Sequence, residues 1–233
     1  MDAPLTIGIV GGMSPESTLA YYKHIVRAHV AARGDHGYPR IVIASVSFQQ
    51  YVDWQHAGAW DDIARGLDGE LAALAAAGAD FAIIAANTMH KVIPKLASKL
   101  PLLHVLDAVA EEAKRRGARR LGLTGTGFTM NDGFYAAGLE TRGFHALLPD
   151  AAERDAIHRM IYDDLIAGRV RPEALARFAA IARGLRARGA DTVLLACTEL
   201  VLVAPPADEV PWIDTAEIHA LAAWRRALTE GTV

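Results

Sequence analysis

A single cysteine closes a short apolar run in "GADTVLLACTEL", Gly189–Leu200. Cys197, Thr198 and Glu199 stand together there, at the end of a predicted strand. A thiol in positive potential or at a helix N-terminus ionises readily and becomes a base or nucleophile. Glu199 could then hold a substrate ammonium or relay a proton. The plain alternative is an inert buried thiol beside a surface acid. An earlier segment, "GADFAIIAANTMH" (Gly78–His90), has the same layout, but alanine, Ala86, stands where the thiol does. Its Asn87 and Thr88 are able to bond an amine and a carboxylate, or to cap a helix. His90 has the environment of a packing residue as much as of a site residue.

Two further polar tips follow apolar runs. In "GGMSPES" (Gly11–Ser17), glycines permit close backbone approach. Ser14 can cap a helix with Pro15 at its first position. Backbone N–H groups at such a start suit a carboxylate or phosphate. Gly8, Gly11 and Gly12 do not have the spacing of a dinucleotide fingerprint. "TGTGFTM" (Thr124–Met130) offers the hydroxyls of Thr124, Thr126 and Thr129 around glycines, an arrangement suited to an anion. The nine histidines show no metal-ligand spacing, and no G-x-S-x-G is present.

The elements that must position these tips alternate between short aliphatic runs and Ala-rich amphipathic stretches. Strands are expected at Thr6–Val10, Arg40–Ser45, Phe81–Ala85, Leu102–Val105, Arg120–Thr124, Thr192–Ala196 and Pro211–Asp214. Helices are expected at Ser17–Ala32, Trp60–Ala77, Ile93–Ser98, Asp107–Arg116, Asn131–Arg142, Ala152–Ala167 and Pro172–Arg188. Continuous apolar strands between helices imply parallel sheets covered on both faces. "IGIVGGMS" from Ile7 resembles "LGLTGTGF" from Leu121, and "PLLHVLDA" from Pro101 resembles "PWIDTAEI" from Pro211. With the Gly78 and Gly189 segments, that makes three matches in one order at nearly one spacing. The chain is therefore expected to be a duplicated α/β protein of two pseudo-symmetric, doubly wound (Rossmann-like) parallel-sheet domains. The expected domains are 1–117 and 118–215, with 216–233 packing back on the first. Ligands of open parallel sheets sit beyond the carboxyl ends of the strands. Two facing domains would put Ala86 and Cys197 on opposite walls of one interdomain active site.

Composition narrows the class. The 233 residues are 52% hydrophobic and 22% charged, as in an ordinary globular protein. Acids outnumber bases, 27 to 24, for a net charge of −3, which argues against a nucleic-acid partner. The dense basic stretch Lys114, Arg115, Arg116, Arg119 and Arg120 falls at a helix end, where cations suit the dipole. One cysteine allows neither an intramolecular disulfide nor a multi-cysteine metal site, and suits a reducing compartment. "MDAPLTIGIVGG" does not read as a signal peptide. No apolar stretch reaches the roughly 18 residues that span a bilayer. A cytoplasmic location with no membrane association is expected.

Taken in order, "GIVGGMSPEST", "NTMHKV", "LLHVLDA", "GLTGTGFTM", "CTEL" and "DTAEIHA" resemble the aspartate/glutamate racemase family. The likeness covers nearly the whole chain. "GGMSPEST", "NTMHKV" and "GFTMNDGFY" are most similar to its broad-specificity amino-acid branch. The resemblance implies two pseudo-symmetric α/β domains with the active site between them, a homodimer, no pyridoxal phosphate and no metal. It implies two cysteines, one per domain, that act as alternating bases and acids at the substrate Cα. The second maps onto Cys197. The first maps onto Ala86, a position that holds threonine in some members of the similar branch. Met13, Ser14, Asn87, Thr88, Thr126, Thr129 and Thr198 match positions that surround the substrate. Aspartate-specific members carry an arginine after the second strand, whereas Ser45–Tyr51 here offers Gln49 and Gln50. The expected function is a cofactor-independent amino-acid racemase acting on a small amino acid or carboxylate, with one base position impaired. Ala86 is then an introduced substitution, the mark of a one-base enzyme, or a gap that a water or His90 fills. A one-base lyase or decarboxylase of the same superfamily and a non-catalytic binder of small carboxylates are the alternatives.

Overall fold

The computed structural model describes residues 4–229. Strand β1 (Ile7–Gly11) is buried along its whole length, as its unbroken aliphatic sequence requires of a central strand. It lies between β2 (Ile41–Ser45) and β3 (Phe81–Ile84), both parallel to it, in the order β2-β1-β3. Helix α1 (Pro15–Arg33) joins the first two strands. Ser14 caps it by accepting a hydrogen bond from the Ser17 N–H, and Pro15 opens it. Helices α2 (Phe48–His56) and α3 (Trp60–Ala76) lead to β3. Ile63, Leu67, Leu71 and Leu74 recur at helical spacing along α3 and pack with Val10, Ala82 and Ile84 in the core.

The second sheet is also parallel, in the order β5-β4-β6-β7. Its strands are β4 (Arg120–Gly125), β5 (His145–Leu147), β6 (Thr192–Ala196) and β7 (Trp212–Asp214). Helices α4 (Val105–Arg115), α5 (Gly127–Asn131), α6 (Phe134–Glu140), α7 (Ala151–Arg159), α8 (Pro172–Ala187) and α9 (Thr215–Thr229) complete the order. The chain divides into two compact units: Leu106–Ile218, and the described residues up to Val105 together with those from His219 on. Helix α4 follows the last extended segment of the first unit yet lies almost wholly in the second, where Asp107 pairs with Arg142 at 2.7 Å. Helix α9 follows β7 yet lies mostly in the first unit. There Tyr21 hydroxyl and His219 Nδ1 are 2.9 Å apart, and Arg226 sits over the Phe81 ring.

Several elements differ from the sequence expectation for identifiable reasons. The strand expected at Leu102–Val105 is reduced to a single bridge, Ala82 to Leu102, because the chain enters α4 at Val105. The helix expected at Ile93–Ser98 is instead the end of a 3-10 turn, Asn87–Lys95. Pro94 lacks an N–H and obstructs an α-helix there. Beyond it, the Asp68 carboxylate takes the Ala97 and Ser98 N–H groups, which replaces helical bonding. The helix expected over Asn131–Arg142 is split into α5 and α6 at Gly133, whose φ is +85°. The helix expected over Ala152–Ala167 ends early and continues as a π turn, Met160–Asp164, and a 3-10 turn, Leu165–Ala167. Helix α2 and the three-residue edge strand β5 had no expected counterpart.

Gly12 fixes the exit from β1. Its φ is +91°, and a Cβ there would stand 2.5 Å from the Val46 carbonyl oxygen and 2.7 Å from the Val46 nitrogen. Both the dihedral and the overlap oppose any side chain. Gly12→Ala is expected to lower unfolding free energy by roughly 3 kcal/mol, read by urea denaturation. A loss under about 0.5 kcal/mol would show that this turn relaxes freely.

Candidate active site

In the first unit, the ends of β1 and β3 are neighbours: the Ala85 N–H donates to the Val10 carbonyl at 2.9 Å. This brings Gly11–Ser14 beside Ala86–Thr88. Gly12 N–H donates to Thr18 Oγ1 at 2.8 Å, and Thr18 Oγ1 donates on to the Ser14 carbonyl. Ser14 is buried and its hydroxyl serves as a cap. Met13 is packed into the hydrophobic core, with Ala86 against the same cluster. Thr88 is buried and Asn87 half-buried. The turn that carries them is anchored on α3, where Lys91 Nζ lies 3.6 Å from the Trp60 ring centroid and Lys95 pairs with Asp61 at 2.6 Å. His90 is committed to the backbone. Its Nε2 donates to the Ile84 carbonyl at 3.2 Å and its Nδ1 accepts from the Val105 N–H at 3.4 Å. With both ring nitrogens so engaged, His90 holds the turn in place, and the idea that it fills in for the residue missing at 86 loses its proton carrier.

In the second unit, β4 and β6 are paired up to Gly125 and Ala196. Their ends bring Thr126 and Thr129 beside Cys197, Thr198 and Glu199. Thr124 is fully buried and donates to the Leu194 carbonyl at 2.6 Å, so its hydroxyl ties the strands together. Thr126 and Thr129 hydroxyls are 3.4 Å apart. The Cys197 thiol donates to Glu199 Oε2 at 2.9 Å, and the Thr198 hydroxyl donates to the same oxygen at 2.9 Å. Glu199 is buried, so its carboxylate relies on such donors.

The repeat is reproduced in backbone geometry. Ala86 has φ −154° and ψ 119°, and Cys197 has φ −154° and ψ 130°. Each follows a buried parallel strand and caps a 3-10 turn. The two residues occupy equivalent positions of their units.

Electrostatics at Cys197 run opposite to the expected activation. Burial raises its thiol well above the ordinary cysteine value, and the Glu199 carboxylate and then Asp214 raise it further. The resting group is therefore a protonated thiol that donates to Glu199. Burial also pushes the Tyr162 phenol up to about 12, with the charges of Cys197 and Glu199 adding to the effect. Asp214 and Tyr162 are thus members of this surrounding that the sequence reading did not single out. Asp214 lay within a noted motif, at a predicted strand end. Tyr162 lay inside a stretch expected to be plain helix, and only the π turn gives it its place. Among the described residues, no group of three or more metal-ligating side chains gathers. No helix among them is long and apolar enough to cross a membrane.

Comparison with known proteins agrees with this architecture. The Asp/Glu/Hydantoin racemase family model matches residues 10–223. A Yersinia pestis protein assigned as an Asp/Glu racemase is similar, at 36% identity and a TM-score of 0.90, over 97% of this chain and 100% of that one. An aspartate racemase homologue from Pyrococcus horikoshii is similar at 33% identity and a TM-score of 0.83, over 95% and 98% of the two chains. Picrophilus torridus aspartate racemase shares the fold at 23% identity, with a TM-score of 0.75 over 96% and 94%. The chain belongs to the Asp/Glu/Hydantoin racemase family and is an isomerase of the racemase class.

Proposed function

We propose that this enzyme acts on the Cα–H bond of an amino acid without a cofactor, with Cys197 as its proton-transferring group. The observation that carries the proposal is the Cys197 thiol held on Glu199 at the strand end equivalent to Ala86. Glu199 accepts the thiol proton, and the thiolate removes the substrate Cα proton. The Cα–H bond breaks, the S–H bond re-forms, and the electron pair delocalises into the substrate carboxylate. Donors aimed at that carboxylate lower the barrier most where charge develops. Ser14, Asn87, Thr88, Thr126, Thr129 and Thr198 are the proposed substrate-binding groups, with Met13 beside them. Return of the proton from Cys197 regenerates the starting enantiomer. Inversion also needs a second proton-transferring group; Ala86, the position of the first unit equivalent to Cys197, offers none, so a water must serve. Inversion is the family's chemistry and is impaired here by Ala86. The reading carries with it a small amino-acid or carboxylate substrate, and a homodimer in the reducing cytoplasm, where a lone thiol stays free.

The test is a panel of amino acids, both enantiomers of each, followed by chiral chromatography. Interconversion of at least one pair above the buffer rate is expected; inertness of every pair would overturn the proposal. A second reading is favoured by the single thiol: a one-base lyase or decarboxylase, which would release carbon dioxide from a disubstituted malonate. The raised thiol also sets the pH dependence. In the free enzyme the thiolate fraction grows with pH and has not levelled at the ordinary cysteine value, so kcat/KM is expected to climb still at pH ~9. A plateau reached by pH ~7 would contradict the assignment of the thiol as base.

A further inference from the structure

The chain leaves the first unit after Val105 and returns to it at His219. Buried histidines hold both places. Helix α4 starts at Val105, whose N–H has no partner inside its own helix. His90 Nδ1 supplies one at 3.4 Å, from the turn that carries Asn87 and Thr88. His90 Nε2 donates to the Ile84 carbonyl of β3, so a neutral ring leaves Nδ1 free to accept. His219 is bound in the same sense. Its Nε2 donates to the Leu103 carbonyl at 2.9 Å, and its Nδ1 accepts from the Tyr21 hydroxyl of α1. The two rings stand edge to face with centroids 5.5 Å apart, and the His104 ring lies 4.6 Å from that of His90. The titratable side chains facing the pair are Tyr21 from α1, His104 from the segment before α4, and each other across the turn and α9. His90 and His219 are 2% and 0% exposed, so water does not stand in for these partners. A proton added to His90 would sit on Nδ1 and point at the Val105 N–H, which cannot turn to accept it. Charging His219 would force the Tyr21 hydroxyl to turn and would set a cation beside His90.

We propose that His90 and His219 form a clasp that holds only while both imidazoles are neutral, so that acid loosens the Asn87–Lys95 turn and the start of α4 together. The folded form excludes protons that the unfolded chain binds. The clasp's stabilisation is thus fully present above the ordinary histidine value, about 6.5, and shrinks as pH falls below it. Its bearing on substrate rests on Asn87 and Thr88 binding it; the clasp itself does not, and its test needs no substrate. Ring nitrogen NMR of the histidine-labelled protein is recorded from pH ~8 to pH ~5, beside thermal melts of the wild type and His90→Gln. Glutamine keeps an amide donor for Ile84 and gives Val105 no imidazole acceptor. At pH ~6, at least two of the nine imidazoles are expected to remain neutral in the Nε2–H form. His90→Gln is expected to melt roughly 4 °C below the wild type at pH ~8, with the gap closing to within about 1 °C at pH ~5. Fewer than two such imidazoles in the folded wild type would overturn the proposal, whether or not the variant folds. A gap that stays constant with pH would also overturn it, since a ring that only packs stabilises equally at either pH. A racemase assay that failed while these signals appeared would overturn the substrate reading and leave this one standing.

Discussion

Replacing Cys197 by serine is expected to slow exchange of the substrate Cα proton by about a thousandfold, within the range that a positioned general base contributes. The two side chains differ by one atom, and a serine hydroxyl can also donate to Glu199 Oε2, so the site keeps its hydrogen bond. What changes is the ease of making the anion. Even with its proton held tightly, a thiol gives it up far more readily than an alcohol does. Burial and the two nearby acids, Glu199 and Asp214, already disfavour the thiolate, and would disfavour an alkoxide at least as strongly. Deuterium uptake followed by NMR, with a thermal melt to verify folding, is the measurement. Uptake within a factor of about three of the wild type would remove Cys197 from the mechanism.

The second large effect is a gain. Ala86→Cys is expected to raise the rate of enantiomer inversion about a hundredfold, and Ala86→Thr by less. Residue 86 has nearly the same backbone dihedrals as Cys197, follows an equivalent buried strand and caps an equivalent 3-10 turn. A side chain added there leaves its strand end in the direction that Cys197 takes in its own unit. Ala86 is only partly buried, so the larger side chain has room. Chiral chromatography of product from either enantiomer reads the change. An inversion rate no higher in Ala86→Cys, in a protein that melts like the wild type, would show that position 86 does not serve the substrate.

Much of this was legible in the sequence because two periodic signals agreed. The buried strands are unbroken aliphatic runs, and the repeat gave each a partner. Ser14 with Pro15 marked the start of α1, and the matched Gly-Ala-Asp segments placed Ala86 and Cys197 at equivalent strand ends. What failed was decided by single competing bonds. Asp68 takes the N–H groups that a helix after Pro94 would have needed. Gly133 interrupts a helix whose apolar pattern ran straight through it. The thiol's surroundings were the hardest part, since the effect of Glu199 depends on burial that no local pattern encodes. A nearby acid in water would matter little; a buried one holds the proton on sulfur. Tyr162 escaped notice because one extra residue in a helical turn leaves no mark in hydrophobic spacing.

In the proposed mechanism a thiol serves one proton transfer at Cα and nothing better than water serves the other. In deuterium oxide, NMR of the Cα proton gives exchange and chiral chromatography gives inversion, for one substrate enantiomer in one tube. Exchange is expected to outrun inversion by at least about tenfold in the wild type, with a ratio that falls toward one in Ala86→Cys. Inversion that keeps pace with exchange in the wild type would contradict it, because a second proton-transferring group would then be at work.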